Sequence, residues 1–155
     1  METTSIDGVY IERLRTIADE RGRLTEILRA DSPLFERFGQ VYITTAYPGV
    51  VKGWHFHHKQ SDNMTVIKGM MKIALYDDRD DSPTKHTVQD FFVGVHNPVL
   101  VHIPPYVLHG FKCISTEEAI VINIPTEKYD YNKPDEHRVD PHDNVIPYDW
   151  RRKDG

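Results

Sequence analysis

Ten prolines and nine glycines interrupt this 155-residue chain at short intervals, and that punctuation constrains its fold more than any other feature. Proline inside a helix removes a backbone hydrogen bond and clashes with the preceding turn; glycine there loses chain entropy. Long helices are therefore excluded from most of the sequence. The segments between are rich in Val, Ile, Thr, Tyr and Phe, which suit a pleated, half-buried surface. The pattern predicts strands over 8–14, 23–30, 40–47, 51–57, 63–68, 71–77, 86–95, 100–103, 110–113 and 119–124. So many short strands imply an all-β sandwich or barrel.

One modest helical signal lies at Ser32–Phe38, where Asp31 or Ser32 would cap a turn opened by Pro33. A second short helix is expected in the tail. From Thr126 onward the composition shifts to Asp, Asn, Pro and Tyr, but Ile146, Pro147, Tyr148 and Trp150 give this stretch something to bury. The expectation is a single domain over 1–155, with 126–155 as an ordered arm packed on the barrel. Asp77–Asp81 reads as a solvated acidic hairpin loop.

A formal charge of -5 argues against nucleic-acid binding, which draws on a Lys/Arg surplus to neutralise phosphates. A nucleotide-bearing small ligand needs only a few local cations and stays open. The single cysteine, Cys113, cannot form an internal disulfide, and METTSIDGVYIERLR lacks the apolar stretch of a signal peptide. No run approaches the roughly 20 apolar residues of a membrane helix. A cytoplasmic protein with no membrane partner is expected.

The chemistry concentrates in histidines. His55 and His57 stand two apart, which in a strand puts both on one face and turns Trp54 and Phe56 to the other, for core packing or a dimer interface. Further on, Pro104 and Pro105 frame a turn that delivers His109 to the start of a strand. Any one of the nine histidines taken alone would be an ordinary strand residue. Together, His55-x-His57, Asp62, Gly69 and Pro104-x-x-x-x-His109 resemble the two-motif arrangement of the cupin superfamily, with Asp62 in place of its usual Glu and Cys113 where Asn often stands. The resemblance implies a cupin-type jelly-roll β-barrel of two antiparallel sheets with short helical turns. Two chemistries remain open on it. His55, His57, Asp62 and His109 are acceptable donors for a divalent metal. Without a metal or other cofactor, a histidine that titrates near neutrality suits proton abstraction from a carbon acid.

A more specific resemblance runs along nearly the whole chain. Asp19-Glu20-Arg21-Gly22 with Glu26, then Gln40, then Gly49-Val50-Val51-Lys52-Gly53-Trp54-His55-Phe56, then Ile103-Pro104-Pro105 with His109-Gly110-Phe111 occur in the order found in the dTDP-4-dehydrorhamnose 3,5-epimerase family. A tail with Tyr131, Pro134, Glu136, Arg138 and Asp149-Trp150 is also similar to that family. What it implies is a cofactor-free reaction on a nucleotide-linked 4-keto-6-deoxy sugar, in deoxysugar or cell-surface polysaccharide biosynthesis. The 4-ketone acidifies the neighbouring C–H bonds, a histidine removes a proton, and reprotonation of the enolate from the other face inverts the centre. By position His55 is the base and His109 its companion. Arg21, Glu26, Gln40, Lys52, His57, Asn63, Tyr129 and Glu136 take substrate contacts, and the Arg21 segment crosses to a second copy, implying a homodimer.

The departures from the family bear on the reaction. Its tyrosine acid lies thirteen residues beyond the histidine matched by His109, which here is Ile122. Asn63 stands where it has a pocket lysine, and His57 where it has glutamine. The aspartate partner that its C-terminal segment gives the base has no counterpart after Trp150, leaving Asp154 as a candidate. Tyr106, Tyr129 and Tyr131 are candidate replacement acids. The open readings are thus double epimerisation, a single epimerisation or keto isomerisation, a metal-dependent cupin enzyme, and a cupin that binds a sugar nucleotide without catalysis.

Overall fold

The computed structural model describes residues 1–154. Its strands are β1 (Glu2–Thr3), β2 (Tyr10–Arg13), β3 (Thr16–Asp19), β4 (Gly22–Thr25), β5 (Tyr42–Ala46), β6 (Val51–Phe56), β7 (Asp62–Lys68), β8 (Met70–Tyr76), β9 (Val88–Gly94), β10 (Val99–Ile103), β11 (Leu108–Cys113), β12 (Ala119–Asn123) and β13 (His137–Arg138). Every named strand pairing is antiparallel. One sheet runs β1-β2-β10-β7-β12-β5 and the other β13-β6-β11-β8-β9, with β3 and β4 forming a separate hairpin. This is the expected all-β barrel of two sheets.

The alternation of side chains along each strand explains the core. Met64 and Val66 of β7, Val101 and Ile103 of β10, Ala119 and Val121 of β12 and Ala46 of β5 meet Met71, Ile73, Leu75, Val93, Phe111 and Cys113 of the other sheet. Burying each large member of this set contributes about 1.5–3 kcal/mol. A second cluster lies on the outer face of the five-stranded sheet. There Trp54, Ala74, Tyr76 and Leu108 are covered by Ile146 and Trp150 of the tail, with Phe56, Val139 and Tyr148 at its edge. Lysines clamp the tail backbone over this cluster. Lys112 Nζ donates to the Trp150 carbonyl at 2.9 Å, and buried Lys72 reaches the carbonyls of Trp150 and Arg151 at 3.4 Å. Trp54 and Phe56 are thus held by packing within the chain.

The structure corrects several expectations. There is no helix among the described residues: 32–38 makes one turn, in which Ser32 Oγ accepts from Leu34 N at 3.2 Å, and the tail is irregular. The predicted 23–30 strand stops at Thr25, beyond which Arg29 pairs with Glu26 and Asp31. β1, β3 and β13 lie outside the predicted strands: two residues are too few to show an alternation, and β3 is exposed along its whole length, with no buried face to mark it. The acidic 77–81 turn is not uniformly solvated. Asp77 is buried and accepts from Arg79 Nε at 2.8 Å, Ser82 Oγ at 2.6 Å and Thr84 Oγ1 at 2.7 Å. No helix of the described residues is long and apolar enough to cross a membrane.

Candidate active site

Five polar side chains face inward at one end of the barrel. The strand registers say why. On β11, His109 shares the inward face of Phe111 and Cys113, and its cross-strand partner on β6 is His55. On β7, Asp62 precedes the core residues Met64 and Val66 by two and four positions; on β12, Asn123 follows Val121 by two. On β5, Tyr42 lies four residues before the core residue Ala46 and pairs with Asn123. Each apolar strand face therefore ends in a polar residue at the same end of the sandwich.

A bulge in β6 adjusts the set. Between His109 and Phe111 the register slips, so Lys52 pairs with Phe111 while His55 pairs with His109. Three residues apart, Lys52 and His55 would face opposite ways in a regular strand; the extra residue returns Lys52 to the inner side, where its Nζ lies 3.3 Å from Thr44 Oγ1 of β5. Two glycines make the bulge possible. A Cβ on Gly110 would lie 2.7 Å from Gly53 Cα and 2.9 Å from the Lys52 carbonyl, with Trp150 packed behind.

Asp62 is the electrostatic centre of the cluster. Its Oδ2 lies 3.0 Å from His109 Nε2 and 3.4 Å from His57 Nε2, and its Oδ1 accepts from Gln60 Nε2 at 2.8 Å. Burial raises a carboxyl pKa, but the hydrogen bond from His109 and the adjacent His57 ring outweigh it and hold Asp62 well below the usual range. Both nitrogens of His109 are engaged, since Nδ1 meets the Val107 carbonyl at 2.9 Å. His57 Nδ1 is bound to the Asp135 carbonyl. Burial opposes a charged His57, yet the Asp62 carboxylate prevails and raises its pKa.

His55 differs from both. Its ring makes no hydrogen bond among the described residues and packs edge-on against the His109 ring at 4.1 Å between centroids. Burial, reinforced by the neighbouring His109, pushes its pKa well below 6.5. The ring is held neutral, with a lone pair free for a ligand. It opens on a cleft of about 770 Å³ lined by Gln40, Tyr42, His55, His57, Tyr129 and Glu136, among others, a size that suits a small-molecule site.

The remaining expected residues fall elsewhere. Asn63 faces away from Asp62 by strand alternation; its amide bonds the Ile124 carbonyl at 3.1 Å and His102 Nδ1 at 3.0 Å, outside the cleft lining. Arg21 and Glu26 lie on and beside the exposed β3–β4 hairpin, paired with Asp19 and Arg29. Asp154 is 90% exposed and pairs with Arg152, so it does not support the base. Tyr106 stacks on His58 over a separate depression of about 580 Å³. Ile122 turns outward, and the inward residue of that pair is Asn123. A count along the sequence lands one residue short, and one residue reverses the face. Sequence reasoning also missed Tyr42, Gln60 and Asp135, although Tyr42-x-Thr44-x-Ala46 carries a readable alternation.

The four donors His55, His57, Asp62 and His109 have ligand atoms all within 4.8 Å of one another, and buried His57 Nε2 has no hydrogen-bond partner. The set fits a divalent cation as well as it fits proton transfer.

Fold and site together define a cupin of the carbohydrate-epimerase class. The chain belongs to the family of polysaccharide biosynthesis C-terminal domains, whose model matches residues 17–137, and it is a divergent member of the dTDP-4-dehydrorhamnose 3,5-epimerases. It is 42% identical over 148 residues to the "Probable low-salt glycan biosynthesis epimerase Agl13" of Haloferax volcanii, covering 94% of this chain and 95% of that one. The spore coat polysaccharide biosynthesis protein SpsL of Bacillus subtilis is 37% identical over 145 residues, covering 94% and 96%. The crystal structure of a dTDP sugar isomerase from Desulfovibrio desulfuricans G20 superposes with a TM-score of 0.90 at 30% identity, covering 97% of this chain and 95% of that one.

Proposed function

We propose that this chain is an epimerase or isomerase of a nucleotide-linked 4-keto-6-deoxy sugar in cell-surface polysaccharide biosynthesis, with His55 as the base. The observation that carries this reading is the unbonded, neutral His55 ring on the floor of the cleft. A neutral imidazole can take a proton from the carbon next to the ketone, whereas the His109 ring beside it is committed to Asp62 and Val107. The Asp62 carboxylate, held on the far side of the His109 ring, favours the imidazolium through space as it forms on His55. Gln40, Tyr129 and Glu136 at the rim are placed for contacts to the sugar and diphosphate.

The dimer belongs to the same proposal. Ile17 and Leu24 are cross-strand partners on the β3–β4 hairpin and are 53% and 58% exposed, an apolar pair that a second copy would cover while receiving Arg21. We place the reaction in the cytoplasm.

The test is deuterium exchange into the dTDP and UDP forms of 4-keto-6-deoxyglucose in D₂O, followed by NMR. Exchange at C3 or C5 that His55→Asn abolishes is the expected result. Neither carbon exchanging would refute the proposal, and saturable binding without exchange would favour a non-catalytic sugar-nucleotide protein. A second reading rests on the orphaned His57 Nε2. His55, His57, Asp62 and His109 would hold a divalent cation, which supplies polarisation of a substrate oxygen. Near-stoichiometric metal in purified protein, and exchange lost in chelator, would favour it.

A further inference from the structure

Inverting a carbon centre needs a proton donor on the face opposite the base. His55 and His109 stand on β6 and β11 of the five-stranded sheet, so a donor on the six-stranded sheet would face them across the cleft. Ile122 cannot supply it, having neither a proton to give nor the right direction. Tyr131 is 88% exposed at the rim, and Tyr106 lies over the other depression.

We propose that Tyr42 is the general acid of this site, positioned by Asn123. The assignment rests on the epimerase reading above. Tyr42 points inward from β5, the edge strand of the six-stranded sheet, into the same cleft as His55. Asn123 Oδ1 accepts from the backbone N–H of Asn63 at 3.1 Å, which fixes the orientation of the amide. The amide nitrogen therefore faces Tyr42 and donates to its hydroxyl oxygen at 2.8 Å. A hydroxyl that accepts from Asn123 keeps its own hydrogen for another acceptor, and no protein group takes it among the described residues. Although 38% of the residue is exposed, burial around the hydroxyl and the Asp62 charge push its pKa up to about 12, so the phenol stays protonated at neutral pH. Fully buried Asn123 on β12 thus positions an acid on its cross-strand partner in β5.

The step balances. His55 takes the proton from the carbon beside the 4-ketone, and the C–H electron pair becomes the enolate. Tyr42 O–H then protonates that carbon from the opposite face. Imidazolium and phenolate return to their starting states by exchanging one proton through water.

The variant is Tyr42→Phe, which keeps the ring and removes only the hydroxyl. In D₂O with the same two nucleotide sugars, wild type should both exchange and invert. Tyr42→Phe should keep His55-dependent exchange within a few-fold while inversion falls about 10²–10⁴-fold. Inversion within threefold of wild type, or loss of exchange and inversion together at an unchanged melting temperature, overturns the role of Tyr42 and leaves the epimerase reading standing. A wild-type protein that exchanges neither carbon overturns both. Exchange without inversion in wild type overturns Tyr42 alone, since an isomerisation on one face uses no opposing acid.

Discussion

Replacing Gly110 by alanine inserts one methyl group at the point where β6 and β11 approach most closely. The new Cβ would sit 2.7 Å from Gly53 Cα and 2.9 Å from the Lys52 carbonyl, and Trp150 closes the far side at 3.4 Å. Two of these neighbours are backbone, so the methyl group is accommodated only by moving a strand. Such overpacking costs about 1–3 kcal/mol. At about 2.1 cal/mol/K of unfolding entropy per residue, a chain of this length loses about 3 °C of melting temperature per kcal/mol, giving a drop of about 3–9 °C by calorimetry. The displaced strands are those that carry His55 and His109 as register partners. Deuterium exchange should therefore fall at least tenfold at a temperature where the variant is fully folded. Gly49→Ala is the control: nothing lies within 4 Å of a Cβ there, and its φ of +78° confines the penalty to backbone strain, about 1–2 kcal/mol. Gly110→Ala with wild-type stability and wild-type exchange would refute the close-approach argument, and with it the claim that the bulge sets the geometry of the site.

Three further outcomes follow from the same structure. Asp77→Asn should cost about 2–3 kcal/mol in denaturant unfolding, because the buried carboxylate is the acceptor shared by Arg79, Ser82 and Thr84. Burial opposes its charge, but those hydrogen bonds depress its pKa well below the ordinary value. The stability it contributes is fully present above about pH 4 and is lost as pH falls further, so wild type should lose more stability than Asp77→Asn between pH 5 and pH 2. Trp150→Ala should cost about 3–5 kcal/mol and strip the cover from Trp54, whose ring centroid lies 5.0 Å away; a red-shifted tryptophan emission reports it. Asp62→Asn removes the carboxylate from His109 and His57 and should lower stability by about 3 kcal/mol while abolishing exchange; activity unchanged would dismiss the ion pair as part of the site.

Much of the fold was legible because strand alternation is a local property. Val, Ile and Thr between Gly and Pro located ten of the thirteen strands, with the end of β4 furthest off, and His55-x-His57 with His109 located the end of the barrel where polar groups collect. What the sequence could not carry was face and partner. Ile122 and Asn123 differ by one position, and only the pairing of β12 with β5 and β7 decides which of them looks into the cleft. Asn63, a substrate contact by family resemblance, faces the other way, one position from inward Asp62.

Composition and pattern, then, determined that this chain is a β-barrel with a histidine site of the cupin type, since hydrophobic alternation and motif spacing are written along one strand at a time. Tertiary structure decided the rest. Asp62 became the charge shared by two histidines, His55 the ring of the three left unbonded, and Tyr42 a hydroxyl in the same cleft held by Asn123, because each depends on a side chain brought from a distant strand. The bulge at Gly53 and Gly110 shows the physical reason most directly: two residues chosen for having no side chain matter only where two backbones meet.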